Sequence, residues 1–234
     1  MTKNESRLKL FENLAGKAVL KQEVFGTIQQ AFLDLREAIS EYEQAFQKFL
    51  QQNPTSQPIP FESKFNGQFE IELKFGGDVL VFLMHSNIFE FPRNHEVMKT
   101  PYVKEDLSRS YHGVINIYNF LADSFKYNRI NDIGYLIGRV FINKDKVYFV
   151  EGKRELAFLF NYFGSKKFDK QAIYELIEAA IRYTINFDLL TPPYDKVKEV
   201  TVNEMKNTLD TISLKTGKRL GFKFQADEAD EIDG

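Results

Sequence analysis

The amino-acid sequence predicts an α+β fold: a helical N-terminal arm, a central, mainly antiparallel sheet of five or six strands, and C-terminal helices packed on the sheet. Three observations predict it. Residues 1–53 lack proline and repeat apolar residues at helical spacing; residues 66–152 change to alternating or continuous apolar runs; helical spacing returns after Gly152. The organisation expected is an arm at 1–53 with a heptad seam, a Pro-rich linker at 54–65, an α+β domain at 66–220 and an acidic tail at 221–234.

In the arm, Phe25, Ile28, Phe32, Leu35, Ile39, Tyr42, Phe46 and Phe49 follow one another in alternating steps of three and four. That spacing aligns them along one side of a helix, as in a coiled-coil seam. An upstream set, Leu8, Phe11, Ala15 and Ala18, has the same spacing, but the register slips near Phe25, so two helices are expected. Two surfaces fit the seam: the protein's own sheet or upstream helix, and a partner. Its flanks are acidic, with Glu23, Asp34, Glu37, Glu41 and Glu43 outnumbering Arg36 and Lys48. Like-charged flanks repel, which points a partnered seam toward antiparallel pairing or a basic companion.

The stretch "QQNPTSQPIPFES" ends the helical pattern and reads as a linker. "QFEIELKF" then places Phe69, Ile71, Leu73 and Phe75 on one face of a strand and Glu70, Glu72 and Lys74 on the other. "GGD" turns the chain into the more continuous "VLVFLMH". Residues 86–112 predict a short strand and a long loop, followed by strands "GVINIYNF", "GYLIGRVFIN" and "KVYFVEG", the last two joined at Lys144 and Asp145.

Past Gly152, a helical face of Leu156, Leu159, Phe160 and Phe163 is closed by Gly164. Asp169 is placed to cap the next helix, with Phe168 and Ile173 as a staple, and Ile173, Leu176, Ile177, Ala180 and Ile181 turn inward. That helix is expected to run to about Phe187. A last helix is expected from Thr201, boxed by Glu204, to Gly217, and the carboxylate-rich tail after it reads as disordered.

Composition narrows the function. The 234 residues include no Cys and no Trp but 23 Phe and 11 Tyr, and the formal net charge is −2. Absence of Cys rules out disulfides and thiolate metal sites and fits a reducing, cytoplasmic location. No apolar run is long enough to span a bilayer, and the charge balance shows no basic excess of the kind that accompanies nucleic-acid binding.

"KVYFVEGKRE" invites a chemical reading, because Glu151 and Lys153 fall on one face of a strand. With Asp132 near the start of the preceding strand, this hairpin resembles the core of the PD-(D/E)xK nuclease superfamily. The resemblance implies that Asp132 and Glu151 hold a divalent cation while Lys153 adds positive charge to a phosphodiester site. Folding the hairpin about Lys144 and Asp145 pairs Glu151 with roughly residue 138 and leaves Asp132 beyond the ladder. The preferred reading is therefore a strand end in water. His85, His95 and His112 cluster in one region without metal-binding spacing and read as loop-capping or edge-strand groups, with a metal or acid/base role as the alternative.

No phosphate-binding glycine loop and no nucleophile elbow occurs. The expectation is a non-enzymatic protein–protein interaction or assembly protein, a scaffold or adaptor, without cofactor or metal. Its binding residues are the seam from Phe25 to Phe49, occupied by a protein partner or a second copy in a homo-oligomer. The metal-dependent nuclease on Asp132, Glu151 and Lys153 is the alternative. A small-ligand sensor built from the sheet and the 86–112 loop is the second alternative.

Overall fold

The computed structural model describes residues 3–153, 156, 163–187, 191, 193–203 and 205. Helix α1 runs unbroken from Lys3 to Gln52. The predicted division near Phe25 is thus corrected: Gly16 and Gly26 each weaken a helix by roughly 1 kcal/mol relative to Ala but do not end one. The slip in apolar register marks the place where α1 reaches the sheet. Residues 4–19 are exposed on every side, whereas Val24, Ile28, Ala31, Leu35, Ala38 and Ile39 are buried.

Among the described residues, seven strands form one antiparallel sheet: β1 Phe61–Asn66, β2 Glu70–Phe75, β3 Asp78–Met84, β4 Phe89–Glu90, β5 Tyr111–Leu121, β6 Tyr135–Asn143 and β7 Tyr148–Gly152. Their order is β1-β2-β3-β5-β6-β7, with β4 added beside the start of β5. Strand β1 corrects the predicted linker, whose last residues pair with β2 from Phe61 opposite Phe75 to Asn66 opposite Glu70. The Pro-rich character stops at Pro60, and "FESKFN" alternates like the strand that follows it. Gly67 and Gly76 make the tight turns of the first two hairpins with φ of +66° and +54°.

One face of the sheet carries Ile71, Leu73, Leu80, Phe82, Ile115, Ile117, Val140 and Val150 beneath α1 and helix α4, Lys170–Ile185. Helix α4 starts where Asp169 accepts a hydrogen bond from the Ala172 amide at 2.9 Å, and it buries Ile173, Leu176, Ile177 and Ala180. It stops at Ile185, slightly short of the predicted end. α1 approaches β5 so closely that a Cβ at Gly113 would lie 2.4 Å from Ile28 Cδ1. Residues 24–46 of the arm share their core with the sheet.

The described residues cover the opposite face only in part. There the segment between β3 and β5, which includes β4, a 3₁₀ turn Glu96–Lys99 and helix α2 Pro101–Glu105, lays Phe91, Val97 and Val103 over Val114, Phe141 and Val147. Asn143, fully buried, ties this segment to the β6–β7 turn. Its Oδ1 accepts from the amides of Asp145 and Val147, and its Nδ2 donates to the Tyr102 hydroxyl and the Arg109 carbonyl. The predicted helix through Leu159 and Phe160 falls outside the described residues, as do most of the one opening at Thr201 and all of the tail. No described helix is long and apolar enough to cross a membrane.

Candidate functional site

The residues of the predicted seam fold onto the protein's own sheet. Ile28, Phe32, Leu35 and Ile39 are buried, Phe25, Tyr42 and Phe46 are half-buried against the same core, and only Phe49 is exposed. Three of the five acidic residues of the flank, Asp34, Glu41 and Glu43, are answered within the chain. Asp34 meets Lys146 at 2.7 Å, Glu41 meets Lys170 at 2.8 Å and accepts from the Tyr174 hydroxyl, and Glu43 accepts from Ser63 at 2.5 Å. Period alone could not distinguish this arrangement from an interface, because both surfaces require the same stripe.

The nuclease residues are not brought together. Asp132, almost wholly buried, accepts from the Ser124 hydroxyl at 2.6 Å and lies 3.9 Å from the Arg129 guanidinium, in the connection between helix α3, Ala122–Lys126, and β6. Glu151 instead stands opposite Arg139, one residue from the predicted pairing, and its Oε2 accepts from Arg139 Nε at 2.9 Å and from Nη2. Lys153 is exposed. Among the described residues, no group of three or more His, Asp or Glu side chains is placed to hold a metal ion.

What the fold does bring together is the three histidines. A cleft of about 430 Å³ lies between the partly covered face of the sheet and the chain from His85 to His95. Its floor is built on three ladder rows of β5, β6 and β7, from which His112, Val114, Asn116, Arg139, Phe141 and Glu151 line the cleft. Asn116, Arg139 and Glu151 form a polar row, Val114, Phe141 and Phe149 an apolar one, and His112 pairs with Asn143 in the third. Phe89, Phe91, Pro92, His85 and His95 close the other side. The aromatic rings interlock: Phe91 lies 3.9 Å from His112, 4.8 Å from His95 and 5.5 Å from Phe141, centroid to centroid.

Each imidazole is oriented by the backbone. Nδ1 of His85 accepts from the Asn87 amide at 3.0 Å and Nδ1 of His95 from the Val97 amide at 3.2 Å, which puts the proton of either neutral ring on Nε2. His112 is the reverse. Its Nδ1 faces the Ser110 carbonyl at 3.0 Å and so donates, leaving Nε2 as a lone-pair acceptor with no partner among the described residues. Burial, reinforced by neighbouring His95, pulls the pKa of His112 down to about 4, so the ring is neutral near pH 7. Arg139 is similarly half-used: Nε and Nη2 are engaged by Glu151, and Nη1 has no partner among the described residues.

The loop over the cleft is held at its far end by charge. Lys144 Nζ donates to Asp106 at 2.8 Å and to Ser108 at 2.5 Å, and these contacts, with Lys144 foremost, keep Asp106 well below the usual carboxylate range. Burial pushes the Tyr102 hydroxyl up to about 12, so it remains a donor to Asp145 at 2.7 Å. The only sequence signal for this site was the grouping of all three histidines near a long loop. Their convergence depends on β3 pairing with β5 and on β4 folding back over His112. No family model, curated protein or solved structure matches the chain.

Proposed function

We propose that the chain is a non-enzymatic interaction or assembly protein of the cytoplasm whose contact element is the outer part of α1. The observation that carries this reading is the exposure of residues 4–19, among which Leu8 is 60% and Leu14 66% exposed, with Leu10, Phe11 and Val19 also in water. A helix of that length is marginal by itself, and one showing so many large apolar side chains gains most by lying against another helix. Leu8, Phe11, Ala15 and Ala18 align at the required spacing, and the small alanines permit a close approach.

The occupant that suits this stripe is a second copy. Lys3, Arg7, Lys9, Lys17 and Lys21 are interspersed with Glu5, Glu12 and Glu23, so two such segments bring opposite charges within reach of each other in an antiparallel pair. The test is solution mass by light scattering over a range of concentrations, for the full chain and for a variant carrying Leu8→Glu, Phe11→Glu and Leu14→Glu. A multiple of 27.3 kDa that falls to a single protomer in the variant is the expected result. One protomer at every concentration for the unaltered chain overturns the reading.

A further inference from the structure

The cleft has a chemical character that the assembly reading does not use. At one end is His112 Nε2, a lone pair on a side chain only 3% exposed and without a partner among the described residues. At the other are the Nη1 hydrogens of Arg139, the Glu151 carboxylate and the Asn116 amide, a row offering both donors and acceptors. Phenylalanine rings lie between. His112 and Asn116 are four residues apart on one strand, about 13 Å at strand rise, and their side chains face the same cleft. Paired charges at Arg139 and Glu151, with Glu90 also on the lining, do not favour a free anion there.

We propose that this cleft binds an uncharged, flat heteroaromatic ring with alternating N–H and C=O groups on its edge, the chemistry of a nucleobase. The ring lies among Phe89, Phe91 and Phe141, a ring N–H donates to His112 Nε2, and a carbonyl accepts from Arg139 Nη1 or Asn116. The cleft volume is in the usual range for such ligands. A purely apolar guest would leave the His112 lone pair and the Arg139 hydrogens without partners as water is expelled, which is the unfavourable outcome that gives polar sites their selectivity.

The probes are hypoxanthine, which has both kinds of edge group, caffeine, a fused ring without N–H, and indole, which has N–H but no carbonyl. Inosine and inosine 5′-monophosphate separate a free base from a nucleoside and test for charge. Binding to the full chain is followed through the ¹⁵N and ¹³C resonances of its three histidines. The expected result is saturable movement of the His112 Nε2 signal with hypoxanthine, and binding of caffeine, indole and the monophosphate at least about tenfold weaker. Equal binding of inosine and hypoxanthine supports recognition of the ring with the sugar outside; hypoxanthine alone supports a free base. His112→Phe, which keeps the ring contacts and removes the lone pair, should weaken hypoxanthine binding about tenfold or more, and Arg139→Lys likewise. No saturable movement of His112 Nε2 at about millimolar hypoxanthine overturns the proposal, as does equal binding of caffeine or indole, or tighter binding of the monophosphate. If His112→Phe does not fold, the His112 signal of the unaltered protein decides alone. Oligomer mass is independent of this result, so the two proposals fail separately.

Discussion

Gly113 of β5 lies directly under Ile28 of α1. A Cβ at position 113 would meet Ile28 Cδ1 at 2.4 Å, Cγ2 at 2.7 Å and Cβ at 2.9 Å, so no rotation of the Ile28 side chain alone removes the overlap. The contact sets how near the helix can come to the sheet. Gly113→Ala should therefore destabilise the protein by about 1–3 kcal/mol in urea unfolding, the usual cost of overpacking. Paired with Ile28→Ala the change should be less than additive, because the second substitution removes the two shortest of the three contacts and leaves only that with Cβ. Additive effects would show that the two residues do not touch.

Asn143 should be among the most sensitive polar positions. Replacing it by Ala removes four hydrogen bonds in a fully buried setting and strands the amides of Asp145 and Val147. A loss of about 3–5 kcal/mol is expected from denaturant unfolding. Because the same side chain joins the 100–110 segment to the β6–β7 turn, amide exchange in both regions should rise together.

Stability should also fall in mild acid through His112. Its folded pKa of about 4 lies below the ordinary 6.5, so the folded state disfavours the protonated ring. The contribution is complete above about pH 6.5 and is lost progressively as pH falls toward 4, to an extent of roughly 3 kcal/mol. Of the groups around the ring, His95 pushes the pKa further down and Ser110 O opposes it, while Glu90, Arg139 and Glu151 lie elsewhere on the cleft. Unfolding free energies measured from pH 7 to pH 4.5 should decline less steeply for His112→Phe than for the unaltered protein. Identical slopes would place the acid sensitivity elsewhere.

Two truncations separate the halves of α1. Removing residues 1–19 takes away residues 4–19, every one of which is exposed, and the thermal unfolding midpoint should change little. Removing residues 1–53 also deletes Ile28, Leu35 and Ile39 from the core, and the remainder should lose its cooperative transition. A folded remainder after the longer deletion would show that the sheet needs only α4.

Asp132→Ala should act on stability and not through a metal ion. The carboxylate is buried beside Arg129 and Ser124, so its loss should cost about 2–4 kcal/mol. Added Mg²⁺ should leave the unfolding midpoint of the unaltered chain unchanged.

The elements legible in the amino-acid sequence were those specified by neighbours along the chain. Asp169 and Phe168 announce α4, Gly76 and Gly77 announce the β2–β3 turn, and the alternation of β2 names its buried face. Less legible was anything set by distant partners. Strand β1 hid behind Pro58 and Pro60, and the helical stripe from Phe25 onward carried no mark saying whether sheet or stranger would cover it. Asp34 and Glu41 looked unanswered because Lys146 and Lys170 lie more than a hundred positions away. The histidine cleft needed a strand pairing and a returning loop, neither of which a spacing rule contains.

The continuity of α1 has a mechanical side. Sixteen exposed residues amount to about 24 Å of rod at helical rise, and the same hydrogen-bonded backbone passes without a joint into the middle of the molecule. Whatever grips the tip is therefore coupled to the body by a strut and not by a tether. A pull or twist delivered near Leu8 arrives at Ile28 and Gly113, where α1 lies too near the sheet for a Cβ between them.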